Sequence, residues 1–340
     1  MVAPEARQEI VQVVDTTGQD QFCSLDGSGP LDASTVARHA PDAQFLSLQR
    51  DKPTARCSLW HRATPAFGAE HLGYIGHYAA TNQTAAGALL THACAELRSQ
   101  GCTLAIAPID GNTWRRYRLL TERGSRPAFF LEPDNPDEWP SHFVSQGFVP
   151  LARYHSSIAA LNGGRTRLPD RATDAAEAEL SAQGLVIRPF DPERFSDELD
   201  TIFQVSLSAF AANFLYSAIQ KEEFLNQCAA IRPHLMPDLI LMAECKGEPA
   251  GFAFAVPDLL QVRRGDPLDT LVFKTLAVHP RFSRRGLGGV LVHRMHESAL
   301  ALGFKKIIHA LMYEKNPSTR ISAHYASVFR RYVLYARTLE

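Results

Sequence analysis

The chain has 340 residues, 45% apolar and 21% charged, with a formal net charge of −1. That length fits two domains with separate cores, and the composition and charge exclude wholesale disorder, a basic nucleic-acid-binding chain and a polybasic membrane-surface protein. Six scattered cysteines, no bilayer-length apolar run and an opening without a secretory layout point to a cytoplasmic protein with no disulfide framework, metal site, nucleic-acid partner or membrane partner.

In chain order, the stretch between EIVQVVD and QFLSLQR has room for one short helix. HLGYIGHYAA (71–80) reads as a strand, TAAGALLTHACAELRSQG (84–101) as a helix and CTLAIAPI as the next strand. GNTWRRYRLLTERG is expected to form a further helix, on which Trp114, Arg115, Arg116 and Tyr117 cluster. They make either an interaction surface or a helix that packs Trp inward and leaves arginines in water. The shift from Gly, Arg and Pro to Ala and Glu across 161–184 marks a boundary: a first domain 1–165, a linker helix 166–183 and a second domain 184–340.

The second half alternates more clearly. LVIRPF is a strand, followed by two helical stretches, PERFSDELDTIFQVSLSAFAANF and AIQKEEFLNQCAAI. DLILMAECKGEPAGFAFAV reads as two strands around a hairpin at Lys246-Gly247-Glu248. DTLVFKTLAV is a long strand, residues 287–302 a helix, KKIIHALMY a strand, NPSTRISAHYA a helical turn and SVFRRYVLYART the last strand. Both halves run from helix through Gly into strand, and aligning Gly101 with Gly303 superposes the preceding strand, loop and helix without a gap. We read this as a diverged internal duplication.

The loop SRRGLGG lies between the long strand and its helix. Unpartnered N–H groups and the helix dipole suit such a place to a diphosphate, and glycines let the phosphate reach the backbone. A plain tight turn with solvated arginines is the competing reading. The spacing is neither a P-loop nor a dinucleotide-binding GxGxxG.

The stretch LAVHPRFSRRGLGGVLV resembles the acyl-CoA signature of the GNAT N-acetyltransferase superfamily. A strand ends in L-x-V-x-P at Leu276, Val278 and Pro280, and [QR]-x-x-G-x-[GA] follows over Ser283 to Gly288, with Ser283 departing from the usual Gln or Arg. The element order of the second half resembles that fold, and the first half resembles a truncated copy. The resemblance implies an α/β fold with a mixed (α+β) sheet, built as two tandem GNAT-like domains. It implies an acyl-CoA-dependent N-acyltransferase that takes acetyl-CoA or another acyl-CoA as co-substrate and a small-molecule amine as acceptor. An acyl carrier protein is the alternative donor, and a non-catalytic acyl-CoA-binding or scaffold protein the alternative function.

By the same resemblance, Arg284, Arg285, Gly286, Leu287, Gly288 and Gly289 hold the pyrophosphate, and the backbone of Leu276, Ala277 and Val278 holds the pantetheine arm. The following strand splays away to make room. Asn316 contacts the cofactor and Tyr325 is the general acid, although the spacing is long and the usual Y-x-x-x-GF ending is missing. Tyr325 as a half-buried aromatic at a helix end competes with that role. Lys274 and Thr275 stand where the family often has a carboxylate, with Lys274 expected on the face of Leu276 and Val278. Glu244 is the candidate base through a water relay, or else a solvated strand residue; His309 is expected to be structural. Asn213 and Tyr216 are expected to line the acceptor pocket, or to cap and pack the two helices. In the first half Thr84 and Ala86 fall opposite Gly286 and Gly288, which predicts a degenerate donor site.

Overall fold

A computed structural model describes residues 8–25, 31–161 and 171–340. The first half contains β1 (Glu9–Gln12), α1 (Thr16–Ser24), α2 (Ala33–His39), β2 (Ala43–Gln49), β3 (Lys52–Trp60), β4 (Leu72–Ala80), α3 (Gln83–Ser99), β5 (Leu104–Ala107), β6 (Leu119–Glu122), α4 (Trp139–Val144) and β7 (Val149–Ala160). The rest contains α5 (Arg171–Ala182), β8 (Leu185–Pro189), α6 (Phe195–Phe210), α7 (Lys221–Ile231), β9 (Ile240–Cys245), β10 (Glu248–Pro257), α8 (Leu259–Arg264), β11 (Thr270–Val278), α9 (Leu287–Ala301), β12 (Lys306–Tyr313), α10 (Ser318–Tyr325) and β13 (Ser327–Thr338). The predicted boundary at 165 and the start of the linker lie outside the described residues.

All the strands join one mixed sheet in the order β1-β2-β3-β4-β5-β13-β7-β12-β11-β10-β9-β8, with β6 beside β13. The α/β fold class with a mixed sheet is as expected. The pairs β4–β5 and β11–β12 are parallel, joined by α3 and α9 as crossover helices. Leu89, Leu90, Ala93 and Leu97 of α3 pack on one half, and Val290, Leu291, Met295 and Ala299 of α9 fill the equivalent place in the other. Gly101 and Gly303 follow these helices at φ 82° and 86°, a left-handed turn that disfavours any residue with a Cβ. This conformational match supports the duplication.

The last strand of each half lies in the other's part of the sheet. β13 sits between β5 and β7, and β7 sits between β13 and β12. On the β10–β11 face opposite α9, Leu199, Ile202 and Phe203 of α6 pack with Phe224 of α7 over Phe252 and Ala277. These two helices roof the space that becomes the functional cleft.

Two sequence expectations are corrected. GNTWRRYRLLTERG is not a helix: Asn112 Oδ1 accepts from the backbone N–H groups of Trp114 (2.9 Å) and Arg115 (3.2 Å), and the chain then turns into β6. An Asn side chain that binds its own following backbone competes with helix formation. Upstream, the first half holds two short helices, α1 and α2, rather than one, started by Asp15 and Asp32 as N-caps.

Candidate functional site

The parallel pairing of β11 with β12 stops at Phe273 opposite His309. Beyond it the strands part, and Leu276 faces Met312 and Tyr313 across a cleft of about 440 Å³. Phe210 and Phe224 roof it, and Trp114, Tyr117 and Tyr154 of the first half close its side. The edge of β11 after Phe273 lies open toward the cleft, so an extended arm could add to it as a strand does.

α9 begins past the far end of this edge. Its N-cap is Gly286, at φ 85°, with no side-chain cap, so the first-turn N–H groups are not spent on a side chain. A Cβ added to Gly286 would lie 3.0 Å from the Ala176 Cβ and one on Gly288 3.3 Å from Ile321 Cδ1, whereas Gly289 faces open space. Arg284 and Arg285 flank the turn, exposed and without an ion pair among the described residues. The equivalent helix α3 differs. Only Thr81 and Asn82 separate it from β4, and Asn82 Oδ1 accepts from Ala85 N at 2.9 Å. That side chain occupies the place an anion would take.

Of the sequence-predicted residues, Leu276, Asn316, Asn213 and Tyr216 line the cleft, and Ala277 and Val278 continue the β11 edge. Arg284, Arg285, Gly286, Leu287, Gly288 and Gly289 surround the start of α9. The Tyr216 hydroxyl is buried with no hydrogen-bond partner among the described residues. Glu244 and Tyr325 are not among the cleft-lining residues. Glu244 accepts from Arg188 Nε at 3.0 Å, and the same guanidinium binds Glu198. Tyr325 packs its ring 4.7 Å from that of His296 beneath the cleft wall.

The sequence reading missed Ser322 and misplaced Lys274. β11 carries a bulge: Phe254 pairs with Thr275 and Ala255 with Phe273, leaving Lys274 without a partner on β10. The bulge resets the alternation, so Leu276 and Val278 pack with the α9 core, while Lys274 donates to Leu131 O at 3.2 Å. The expected shared face is therefore overturned. Burial and the nearby Arg118 guanidinium push the Lys274 ammonium down to about 7.

Ser322, on the cleft wall, bonds His309 Nδ1 at 2.7 Å, and His309 Nε2 meets His296 Nε2 at 2.8 Å. Burial pushes His309 down to about 4, so the ring is neutral at pH 7. The signal for this relay was present in the sequence only as unconnected Ser and His positions.

The first half also fastens the roof. Trp114 Nε1 donates to Ser217 O at 2.9 Å, and Arg115 grips Glu223 of α7 through two bonds of 2.6 and 3.0 Å. Trp114 and Arg115 thus contact the other half of the chain, while Arg116 bonds within its own half.

A metal was not expected. His39, His77 and Asp110 nevertheless bring three ligand atoms within 4.8 Å of one another and are the described residues able to hold one. Burial first, then Arg115, holds His39 down at about 4; burial, then Arg56 and Arg115, holds His77 at about 3. Guanidinium groups that oppose a proton there oppose a divalent cation too.

A strand pair parted ahead of an uncapped, glycine-rich helix start defines the class of fold. Residues 200–321 match the acetyltransferase (GNAT) family model, and the fold of the chain is like that of a tandem GNAT protein. It is similar to a tandem GNAT protein from the clavulanic acid biosynthesis pathway, with TM-score 0.53 and 14% identity, covering 98% of this chain and 99% of that one. Among curated proteins it is 24% identical over 209 residues to Protein YghO of Escherichia coli (strain K12), covering 61% of this chain and 51% of that protein. It is 23% identical over 224 residues to the bacterial ceramide synthase of Caulobacter vibrioides (strain NA1000 / CB15N), covering 65% of this chain and 57% of that protein. The matched region thus spans little more than half the length of these curated relatives. No helix among the described residues is long and apolar enough to cross a membrane.

Proposed function

We propose that the chain is an acyl-CoA-dependent N-acyltransferase whose reaction runs in the β11–β12 cleft, with a small-molecule amine as acceptor. Residues 184–340 form the catalytic domain, and residues 1–165 act as a scaffold that closes the cleft and lacks a donor site of its own. The observation that carries this reading is the parting of β11 from β12 immediately ahead of the uncapped α9.

In this reading the N–H groups from Arg284 to Gly289 take the donor pyrophosphate, with the Arg284 and Arg285 side chains adding charge. The open edge at Leu276, Ala277 and Val278 takes the pantetheine arm and offers an N–H to the thioester oxygen, with Asn316 beside the arm. The unprotonated amine attacks the thioester carbonyl, the C–N bond forms, the C–S bond breaks and the thiolate takes up a proton. Ser322, backed by His309, stands on the cleft wall and is the better-placed proton donor; Tyr325 would have to leave the His296 ring to serve. Glu244, held by Arg188, would have to give up that pairing to act as base. Asn213 and Tyr216 contact the acceptor, Tyr216 through its unpartnered hydroxyl.

The test is calorimetry with coenzyme A on wild type and Gly286→Glu. A carboxylate on this left-handed turn meets both the pyrophosphate charge and Ala176, and is expected to weaken binding at least about a hundredfold. Equal binding would sink the reading. A second reading, an acyl-CoA-binding protein without turnover, is favoured by the absence of Glu244 and Tyr325 from the cleft lining. Absence of thiol release with a panel of amines, despite binding of acetyl-CoA, would select it. An acyl-carrier-protein donor is favoured instead if Arg284→Ala and Arg285→Ala leave turnover untouched.

A further inference from the structure

A second cavity of about 630 Å³ adjoins the cleft on the side of the first half. Trp114, Tyr117, Lys274 and Leu311 are among the residues that the two share as a partition. The wall of this second cavity is cationic. Arg118 is only 7% exposed; its guanidinium stacks over Tyr117 at 4.0 Å and Tyr154 at 4.4 Å, and Nη1 donates to the Tyr117 hydroxyl at 2.7 Å. Its Nε is buried with no partner among the described residues. Arg116 donates to the Asp134 carbonyl, and Lys274 to the Leu131 carbonyl.

The acids on the same wall do not balance these charges. Glu132 is held by Arg330 Nε at 3.0 Å and by the Tyr332 hydroxyl. Asp110 accepts from the His77 N–H at 2.6 Å and faces Arg116, Glu132 is the carboxylate nearest Lys274, and no carboxylate among the described residues is paired with Arg118. Buried guanidinium without a carboxylate is costly, because carbonyl and hydroxyl dipoles replace only part of its hydration. An anion at this place would remove that cost and use the Arg fork.

We propose that the acceptor amine carries a carboxylate, held at the partition between Arg118 of the first half and Lys274 of the second. This rests on the acyltransferase reading of the cleft. Lys274 lies two residues before Leu276, at most about 7 Å along the bulged strand. An amino group and a carboxylate separated by a few carbons span that distance, with the amine at the thioester and the acid at Lys274. The bulge on β11 is what turns Lys274 toward the partition rather than into the α9 core. A carboxylate there would also keep Lys274 charged.

The test uses the full chain loaded with acetyl-CoA and a series of ω-amino acids from glycine to 6-aminohexanoate, each beside the alkylamine of matched length. Thiol release and calorimetric binding are both read. The best acid is expected to exceed its alkylamine at least about tenfold in kcat/KM. Arg118→Met and Lys274→Met are expected to remove that preference through KM, while Arg118→Lys restores part of it; coenzyme A affinity reports that each variant is folded. If Arg118→Met does not fold, Lys274→Met decides alone. If alkylamines react as well as the acids, or if inorganic phosphate at millimolar concentration displaces an acid that shows no preference, the inference falls while the acyltransferase reading stands. If coenzyme A binds but no amine of either series releases thiol, or if it does not bind, the reading beneath it falls as well.

Discussion

Lys274 shows how one residue can be conspicuous in the sequence and still be misplaced by it. Its charge in the strand LVFKTLAV was visible, but strict alternation put it on the wrong face, because a bulge leaves no mark in a single sequence. Its depressed titration makes a stability prediction. An ordinary lysine titrates near 10.5, and in the folded chain burial and Arg118 push this one to about 7. The unfolded chain therefore binds the proton more tightly, and the folded state pays a penalty that is absent above about 10.5. That penalty grows as pH falls toward 7 and is constant below. Lys274→Met, which keeps most of the packed stem, is expected to stabilise the ligand-free protein by about 1 kcal/mol at pH 6, allowing for partial exposure of the ammonium. The gain should shrink steadily as pH rises from 7 to 9. Denaturant melts at three pH values check this; a pH-independent difference would mean the lysine is paired or solvated in solution.

At the scale of elements, the two crossover helices separate duplication from function. α3 and α9 pack alike on the sheet, yet α3 spends its N-terminal N–H on Asn82 and α9 offers its own freely. Asn82→Ala is expected to cost about 1 kcal/mol in stability, the usual loss for an N-cap. It should leave coenzyme A affinity unchanged, as calorimetry would show; weakened binding would put the donor in the first half. The helices and strands of the second half were legible because apolar periodicity is a local signal, and so was the Lys246-Gly247 hairpin, whose φ values are 53° and 80°. The segment after Asn112 was not. Its Trp, Leu and Arg content suits a helix, and the decision falls to one side-chain oxygen and to partners on α7 more than a hundred residues away. The α9 loop was legible because its chemistry lies in consecutive residues, whereas Arg118 entered no motif and is identified only by where its side chain is buried.

For the whole molecule, the exchange of final strands decides what counts as a folding unit. Strand pairing between residues so far apart in sequence is invisible to local pattern, so the sequence carried no sign that the two halves share one sheet. β12 has β11 on one side and β7, from the first half, on the other; β13 depends on β5 and β7. Residues 171–340 alone would leave β12 with an unpaired edge and β13 without either principal neighbour, along with loss of the Trp114 and Arg115 clamp on α7. Such edges promote aggregation, and the buried surface of β13, including the ring of Tyr332, would face water. We expect residues 171–340 expressed alone to be aggregated or without a cooperative thermal transition, and coexpression with residues 1–161 to restore a one-to-one complex that melts in a single step. Gel filtration and circular dichroism read both outcomes. A monomeric C-terminal fragment that melts sharply and binds coenzyme A would show that the exchanged strands are dispensable. The first half would then be an appendage and no part of the catalytic fold.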